Sequence, residues 1–236
     1  MLEATLQGKL QEHLSEKYRR EKGWLLYSGL DTLRPGRYYF MGFNPAKDPA
    51  NKVLNELFPA PPCNWSAYTQ QCWRCGGALC EHIDANGRVS KPKRHQRSVR
   101  EFIEKLAHQP EDVFATNAIF VESESIQELC KRPDFSELWD RCWEIHRWFL
   151  SIVQPQWIIC LGNAGDLSAY SLLRKRCLRD DKGRDEKDYK KGKVFTGSID
   201  LEGGQQLGVR VLGVPHPSWF NLPSPTTVSG LLDETS

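Results

Sequence analysis

Four short apolar runs punctuate the chain, and each is followed by a turn carrying asparagine or proline. They are Tyr38-Tyr39-Phe40-Met41-Gly42-Phe43, Val113-Phe114-Ala115-Thr116, Trp157-Ile158-Ile159-Cys160-Leu161-Gly162 and Val209-Arg210-Val211-Leu212-Gly213-Val214. Runs so short and so uniformly apolar predict strands buried on both faces. Between them the period lengthens. Residues 4–24 place Leu6, Leu10, Leu14 and Tyr18 on one face and predict a helix. A second helix is predicted from about Arg97 to His108, stopped by Pro110. The third is long: Leu138, Cys142, Ile145, Phe149 and Ile152 make its apolar stripe, Asp134 or Ser136 caps it, and Pro155 ends it near Val153. A fourth opens at Asn163 or Asp166 and runs through Leu173.

Strands alternating with helices predict the α/β class, as a three-layer αβα sandwich around a central, mainly parallel four-stranded sheet. Ligands of such sheets bind beyond the carboxyl ends of the strands. Asn44, Asn117 and His216 all fall there, so three residues far apart in sequence are expected to converge. The 236 residues read as one domain spanning 1–236, with an irregular Cys-rich basic insertion over 61–95 and a flexible tail over 223–236.

Composition narrows the class without naming a function. The 39% hydrophobic and 26% charged fractions are those of a globular protein. No apolar run approaches the roughly 20 residues of a membrane helix. Met1-Leu2-Glu3-Ala4-Thr5 lacks a basic-then-apolar leader pattern, and a cytoplasmic monomer is expected. The net charge of +2 is close to neutral, but its distribution is uneven. Lys91, Lys93, Arg94, Arg97 and Arg100 crowd one stretch and are candidate phosphate contacts. A second basic stretch, from Arg174 to Lys193, is diluted by acidic residues between Asp180 and Asp188.

Four of the eight cysteines, Cys63, Cys72, Cys75 and Cys80, fall within eighteen residues, with His82 just beyond as an alternative ligand. These are the residue types of a tetrahedral zinc site, and Cys72-Trp73-Arg74-Cys75-Gly76-Gly77 resembles a zinc knuckle. A structural zinc is expected there, with an iron–sulfur cluster or unligated thiols as alternatives. Cys130, Cys142 and Cys160 lie in apolar or helical contexts and are expected to pack as small hydrophobes.

The three strand-end residues suggest a division of labour. Asn44 precedes Pro45 in a restricted turn, where its amide oxygen can hold a water and its nitrogen can donate. His216 sits between Pro215 and Pro217, suited to donate a hydrogen bond to developing negative charge. Asn117 offers donor and acceptor in one plane, matching the edge of a nucleobase. Each residue taken alone also fits a role in ordering its own turn, which is the minority reading for Asn44 and the stronger one for His216.

The order Gly42-Phe43-Asn44-Pro45, Thr116-Asn117, Ile158-Ile159-Cys160-Leu161-Gly162, His216-Pro217-Ser218 resembles the uracil-DNA glycosylase superfamily, over about Tyr38 to Phe220. The Asn-type first motif resembles the mismatch-specific and single-strand-selective branches. Thr116-Asn117 and Leu161-Gly162 look more like the thermophile-type branch. The resemblance implies a monofunctional DNA glycosylase that flips a nucleotide out of the stack. By motif position, Asn44 would orient the attacking water, His216 would stabilise the departing pyrimidine and Asn117 would read the base. Phe43 and Ala46 would line the base pocket, with a stacking aromatic at Phe58 or, if the loop is rearranged, Trp65 or Tyr68. Lys91, Lys93, Arg94, Arg97 and Ser218 would contact DNA, and Trp219, Phe220 and Leu222 would supply the wedge.

The chain also departs from the family pattern. Ala46 is small and leaves room at pyrimidine C5, so uracil, 5-substituted pyrimidines and modified cytosines such as those of phage DNA are all candidate substrates, the last implying a defence role. Asn at position 44 supplies no negative charge to a cationic sugar. Two alternatives from other classes are a DNA-binding protein of the same fold with little turnover, and a hydrolase of free nucleosides or nucleotides.

Overall fold

The structure, a computed structural model, describes residues 1–48, 51–71, 73, 93–178, 192–218 and 222, and the backbone at 82–83, 89–90 and 179. In chain order the elements are helices α1 (Leu2–His13) and α2 (Glu16–Arg19), strands β1 (Lys22–Gly23), β2 (Tyr38–Gly42), β3 (Lys52–Val53), β4 (His82–Ile83) and β5 (Val89–Ser90), and helix α3 (Arg94–Lys105). Strand β6 (Phe114–Asn117), helices α4 (Ile126–Cys130) and α5 (Phe135–Val153), strand β7 (Trp157–Leu161) and helix α6 (Ala169–Arg174) follow. Strands β8 (Leu178–Arg179), β9 (Lys193–Asp200) and β10 (Gln206–Val214) complete them.

The main sheet has the order β6-β2-β7-β10-β9-β8. Its first four strands are the four apolar runs, and all four are parallel. The expected four-stranded sheet is thus extended by β9, antiparallel to β10, and by the two-residue β8, antiparallel to β9. A hairpin through Gly203-Gly204 joins β9 to β10, and β9 alternates burial, with Phe195 and Ile199 inside. The basic residues just before β9 masked its pattern. Gly203-Gly204 beside a β-branched run was the available signal.

Alternation along the parallel strands divides the core into two faces. Tyr39, Met41, Ile158, Cys160, Val209 and Val211 face α1, α5 and α6. Tyr38, Phe40, Ala115, Trp157, Ile159, Leu212 and Val214 face Val99, Phe102 and Ile103 of α3, together with Tyr68. Helix layers therefore cover both faces of the sheet, and β2 and β7 are buried along their whole length. A parallel strand in that position has no solvent side, which is why its sequence does not alternate.

The helices differ from expectation in several places: α3 runs from Arg94 to Lys105 instead of about Arg97 to His108, and α4 was not anticipated. The first helix stops at His13 because Leu14 adopts an extended conformation; α2 then restarts after Ser15, and Leu14 and Tyr18 are both buried. Asp134 sits at the N-cap position of α5 without capping it, since its carboxylate pairs with Arg132 and Lys17, which hold its pKa well below the usual range. Helix α6 begins at Ala169 and is capped by Ser168, whose Oγ accepts from Ser171 N. The expected cap, Asn163, instead donates from Nδ2 to Gly213 O, at 2.8 Å. Among the described residues no helix is long and apolar enough to cross a membrane.

One buried polar group ties the layers together. The Tyr39 hydroxyl on β2 donates to His146 Nδ1 of α5 at 2.7 Å, and His146 Nε2–H donates to Ala118 O at 3.0 Å. Burial pushes the His146 pKa down to about 4, so the ring is neutral and carries the one donor and one acceptor that the site uses.

Candidate functional site

The chain reaches β6 and β7 on opposite sides of β2, so the direction of the crossovers reverses at β2. A crevice opens at the carboxyl end of a sheet at such a point. Here it is a cleft of about 460 Å³, lined by Gly42, Phe43, Asn44, Ala46, Asn117, Gly162, Asn163, Pro215 and His216 among others. Asn44, Asn117 and His216, 172 positions apart at the extremes, therefore face one space, and Phe43 and the exposed Ala46 line it with them.

The loop leaving β2 is zipped onto the segment leaving β6. Ala118 N donates to Gly42 O, Ile119 N to Phe43 O and Ser123 N to Pro45 O, while Lys47 N donates back to Ser123 O. This parallel run places Ser123 against Asn44. Asn44 Nδ2 donates to Pro45 O at 2.7 Å and to Ser123 Oγ at 2.9 Å, and Ser123 Oγ donates to Ser125 O at 2.9 Å. Pro45 O can only accept, and the Ser123 proton is already committed to Ser125. Both neighbours therefore require the nitrogen of the Asn44 amide on their side, which leaves Oδ1 as the group available to a ligand or water.

Asn117 is buried, and its Nδ2 makes no hydrogen bond of regular geometry among the described residues, although the Tyr27 hydroxyl lies close enough to interact with it. A buried amide donor short of a regular hydrogen bond costs free energy that a ligand acceptor would recover. Gly42 makes this placement possible: a Cβ there would stand 2.1 Å from Asn117 Oδ1. Gly162, at φ +120, forms the turn that leaves β7 beside His216.

His216 is half-buried, and burial lowers its pKa below the ordinary histidine value. Ser218 N–H donates to its Nδ1 at 3.3 Å, so the neutral ring carries its proton on Nε2. Two residues that sequence reasoning passed over share the cleft. Glu124 lies at the lip and pairs with Lys47 at 2.7 Å, which holds its carboxyl below the usual range. His95, at the start of α3, stands edge-on to His216 with ring centroids 5.1 Å apart. No spacing rule connects either residue to the strand-end motifs. His95 was embedded in the basic stretch and read with it.

Several expected site residues lie elsewhere. Phe58 and Trp65 line a separate apolar cavity of about 310 Å³ with Trp24, Leu57 and Pro61, and that cavity shares no residue with the cleft. In this structure neither faces the strand-end cleft, and Phe58 packs on the core. Tyr68 is buried against Tyr27 and Trp73. Leu222 is half-buried and packs on the α3 side of the core. Lys93 and Arg94 are exposed at the start of α3, and Arg97, one turn on, pairs loosely with Glu101. Ser218 Oγ contacts His95 Nδ1 at 3.2 Å.

Cys63 is exposed and in no disulfide among the described residues. Cys72, Cys75, Cys80, Lys91, Trp219, Phe220 and the side chain of His82 lie outside the described residues. Among the described residues no group of three or more His, Cys, Asp or Glu side chains is arranged to hold a metal. Compared with models of known protein families and with curated proteins, the sequence matches none.

Proposed function

We propose that the chain is a monofunctional DNA glycosylase, a divergent relative of the uracil-DNA glycosylase superfamily that removes a pyrimidine from DNA and leaves an abasic site. The observation that carries this reading is the Asn44 amide, oriented by Pro45 and Ser123 with Oδ1 available, in one cleft with a neutral His216 whose proton is on Nε2. An amide oxygen is too weak a base to take a proton from water in the ground state, but it holds a water against a carbon that is becoming cationic.

In this reading the C1′–N bond breaks first and the base leaves with the electron pair. The His216 Nε2–H donates to the carbonyl oxygen on which that negative charge collects. The water held by Asn44 then forms the C1′–O bond, and its proton passes to solvent or to the departed base. Asn117, in the wall of the cleft, reads the base edge with its side-chain amide. Ala46 at the lip admits substituents at pyrimidine C5, so the substrate class is uracil or a 5-substituted or modified pyrimidine, including the modified cytosines of phage DNA. Lys93, which precedes α3, and Arg94 and Arg97 on it contribute the positive charge for phosphates.

The test is alkali-labile strand breakage on single- and double-stranded oligonucleotides bearing uracil, mismatched thymine, 5-hydroxymethyluracil or modified cytosines. One of these is expected to be cut, with Asn44→Ala or His216→Ala slowing base release by about 10²–10³-fold, the loss typical of removing one preorganised group. Full activity in both variants would exclude the assignment. Base release from free nucleosides with none from DNA would make the chain a nucleoside hydrolase. The same reading includes a structural zinc held by Cys63, Cys72, Cys75 and Cys80. Elemental analysis of purified protein is expected to find about one zinc per chain, and metal-free folded protein would remove zinc from the reading.

A further inference from the structure

Among the described residues, His95 is the one imidazole beside the catalytic candidates that the proposed mechanism leaves unused. It enters the cleft from α3, an element that carries none of the strand-end motifs. On one side its ring meets His216 edge-on, with centroids 5.1 Å apart. On the other it packs on Trp73 at 5.4 Å, and Trp73 in turn packs on Tyr68 and Tyr27 at 5.5 and 5.8 Å. A continuous row of rings thus runs from the α3 side of the core to the motif histidine.

The polar contacts complete the link. His95 Nδ1 and Ser218 Oγ are 3.2 Å apart, and the backbone N–H of the same Ser218 donates to His216 Nδ1 at 3.3 Å. A backbone N–H can only donate, so as long as Ser218 stays in place His216 keeps its proton on Nε2. The peptide at Ser218 sits in a turn past the end of β10, and its side-chain hydroxyl bonds to His95.

We propose that His95 is a positioning residue for His216: through Ser218 it holds the tautomer that presents Nε2–H to the cleft, and through ring contact it holds the plane of the imidazole. This rests on the glycosylase reading for its effect on rate, but its structural content stands apart from that reading. Burial, and secondarily the neighbouring His216, push the His95 pKa down to about 3, consistent with two neutral rings side by side.

The experiment has two arms. In the first, nitrogen-15 NMR of the histidine rings in full-length protein reads the His216 tautomer without any substrate. Wild type is expected to show Nε2–H at His216, and both His95→Phe, which keeps the ring, and Ser218→Ala, which keeps the backbone N–H, are expected to give a mixture of tautomers. In the second arm, single-turnover base release from the oligonucleotide cut by wild type is expected to fall about tenfold in each variant, the cost of one lost orienting hydrogen bond. The double variant is expected to be no slower than either single one, because both break the same link. An unchanged His216 tautomer in both variants, or additive losses of rate, would overturn the proposal. If wild type releases no base from any oligonucleotide, the functional reading fails while the NMR arm still decides the role of His95. Ser218→Ala, in a turn at the protein surface, keeps the test open should His95→Phe not fold.

Discussion

At Asn44 only one orientation of the side-chain amide satisfies its neighbours, and Ser123 is half of the reason. Ser123→Ala removes one of two acceptors from Nδ2 and leaves the hydrophobic core untouched. The expected result is base release slowed by about tenfold, from the loss of one modest hydrogen bond, with the urea midpoint little changed. A rate equal to wild type would mean that Pro45 O alone orients the amide. Asn44 and His216 were legible as candidates because each follows a buried run and adjoins proline. Ser123 was not, because its contact with Asn44 spans 79 positions and depends on two loops running parallel past the strand ends. Gly42 shows the same limit. Its sequence context is that of any strand-end glycine, and only the position of Asn117 Oδ1 reveals that a side chain there would push the candidate reader aside.

At the scale of elements, burial on both faces shapes the sequence of β2 and β7 and also decides how the fold responds to acid. His146 joins β2, α5 and the segment after β6 as a neutral ring with a pKa near 4, against the ordinary 6.5 of an unfolded chain. Between those values the unfolded chain binds a proton that the folded one does not, so stability falls as pH drops through that window and is level above it. The shift corresponds to about 3 kcal/mol from this ring. His95 and His216 are shifted in the same direction and add to the loss. Urea midpoints measured from pH 7 to 4 are expected to fall steadily. The Tyr39→Phe/His146→Leu double variant is expected to show a shallower dependence by one proton, and an unaltered slope would contradict the burial argument. The period of apolar residues was sufficient to place helices at α3 and α5, but it carried the first helix on past its break at Leu14. It failed at β9, where Lys190, Lys191 and Lys193 hide a strand that only pairing with β10 makes favourable.

For the whole molecule, α3 brings two separate features to one place. Its first turn carries Lys93 and Arg94 outward, while His95 turns toward the cleft. If DNA lies across that turn, Lys93→Ala weakens binding to all sequences alike and lowers the slope of log affinity against log salt by about 1; an unchanged slope would remove Lys93 from the interface. Arg97 is expected to matter less, since Glu101 already faces it. The sequence by itself determined the α/β class, the four parallel strands and the identity of the three strand-end residues, because buried strands and the turns after them constrain composition locally. The tertiary structure decided which residues share the cleft. It placed Ser123, Glu124 and His95 there and moved Phe58 and Trp65 to another cavity, since those relations arise from sheet order and from how loops lie across one another. A chain read in one dimension carries the first kind of information in its periodicity; the second exists only once the crossovers have closed over the sheet.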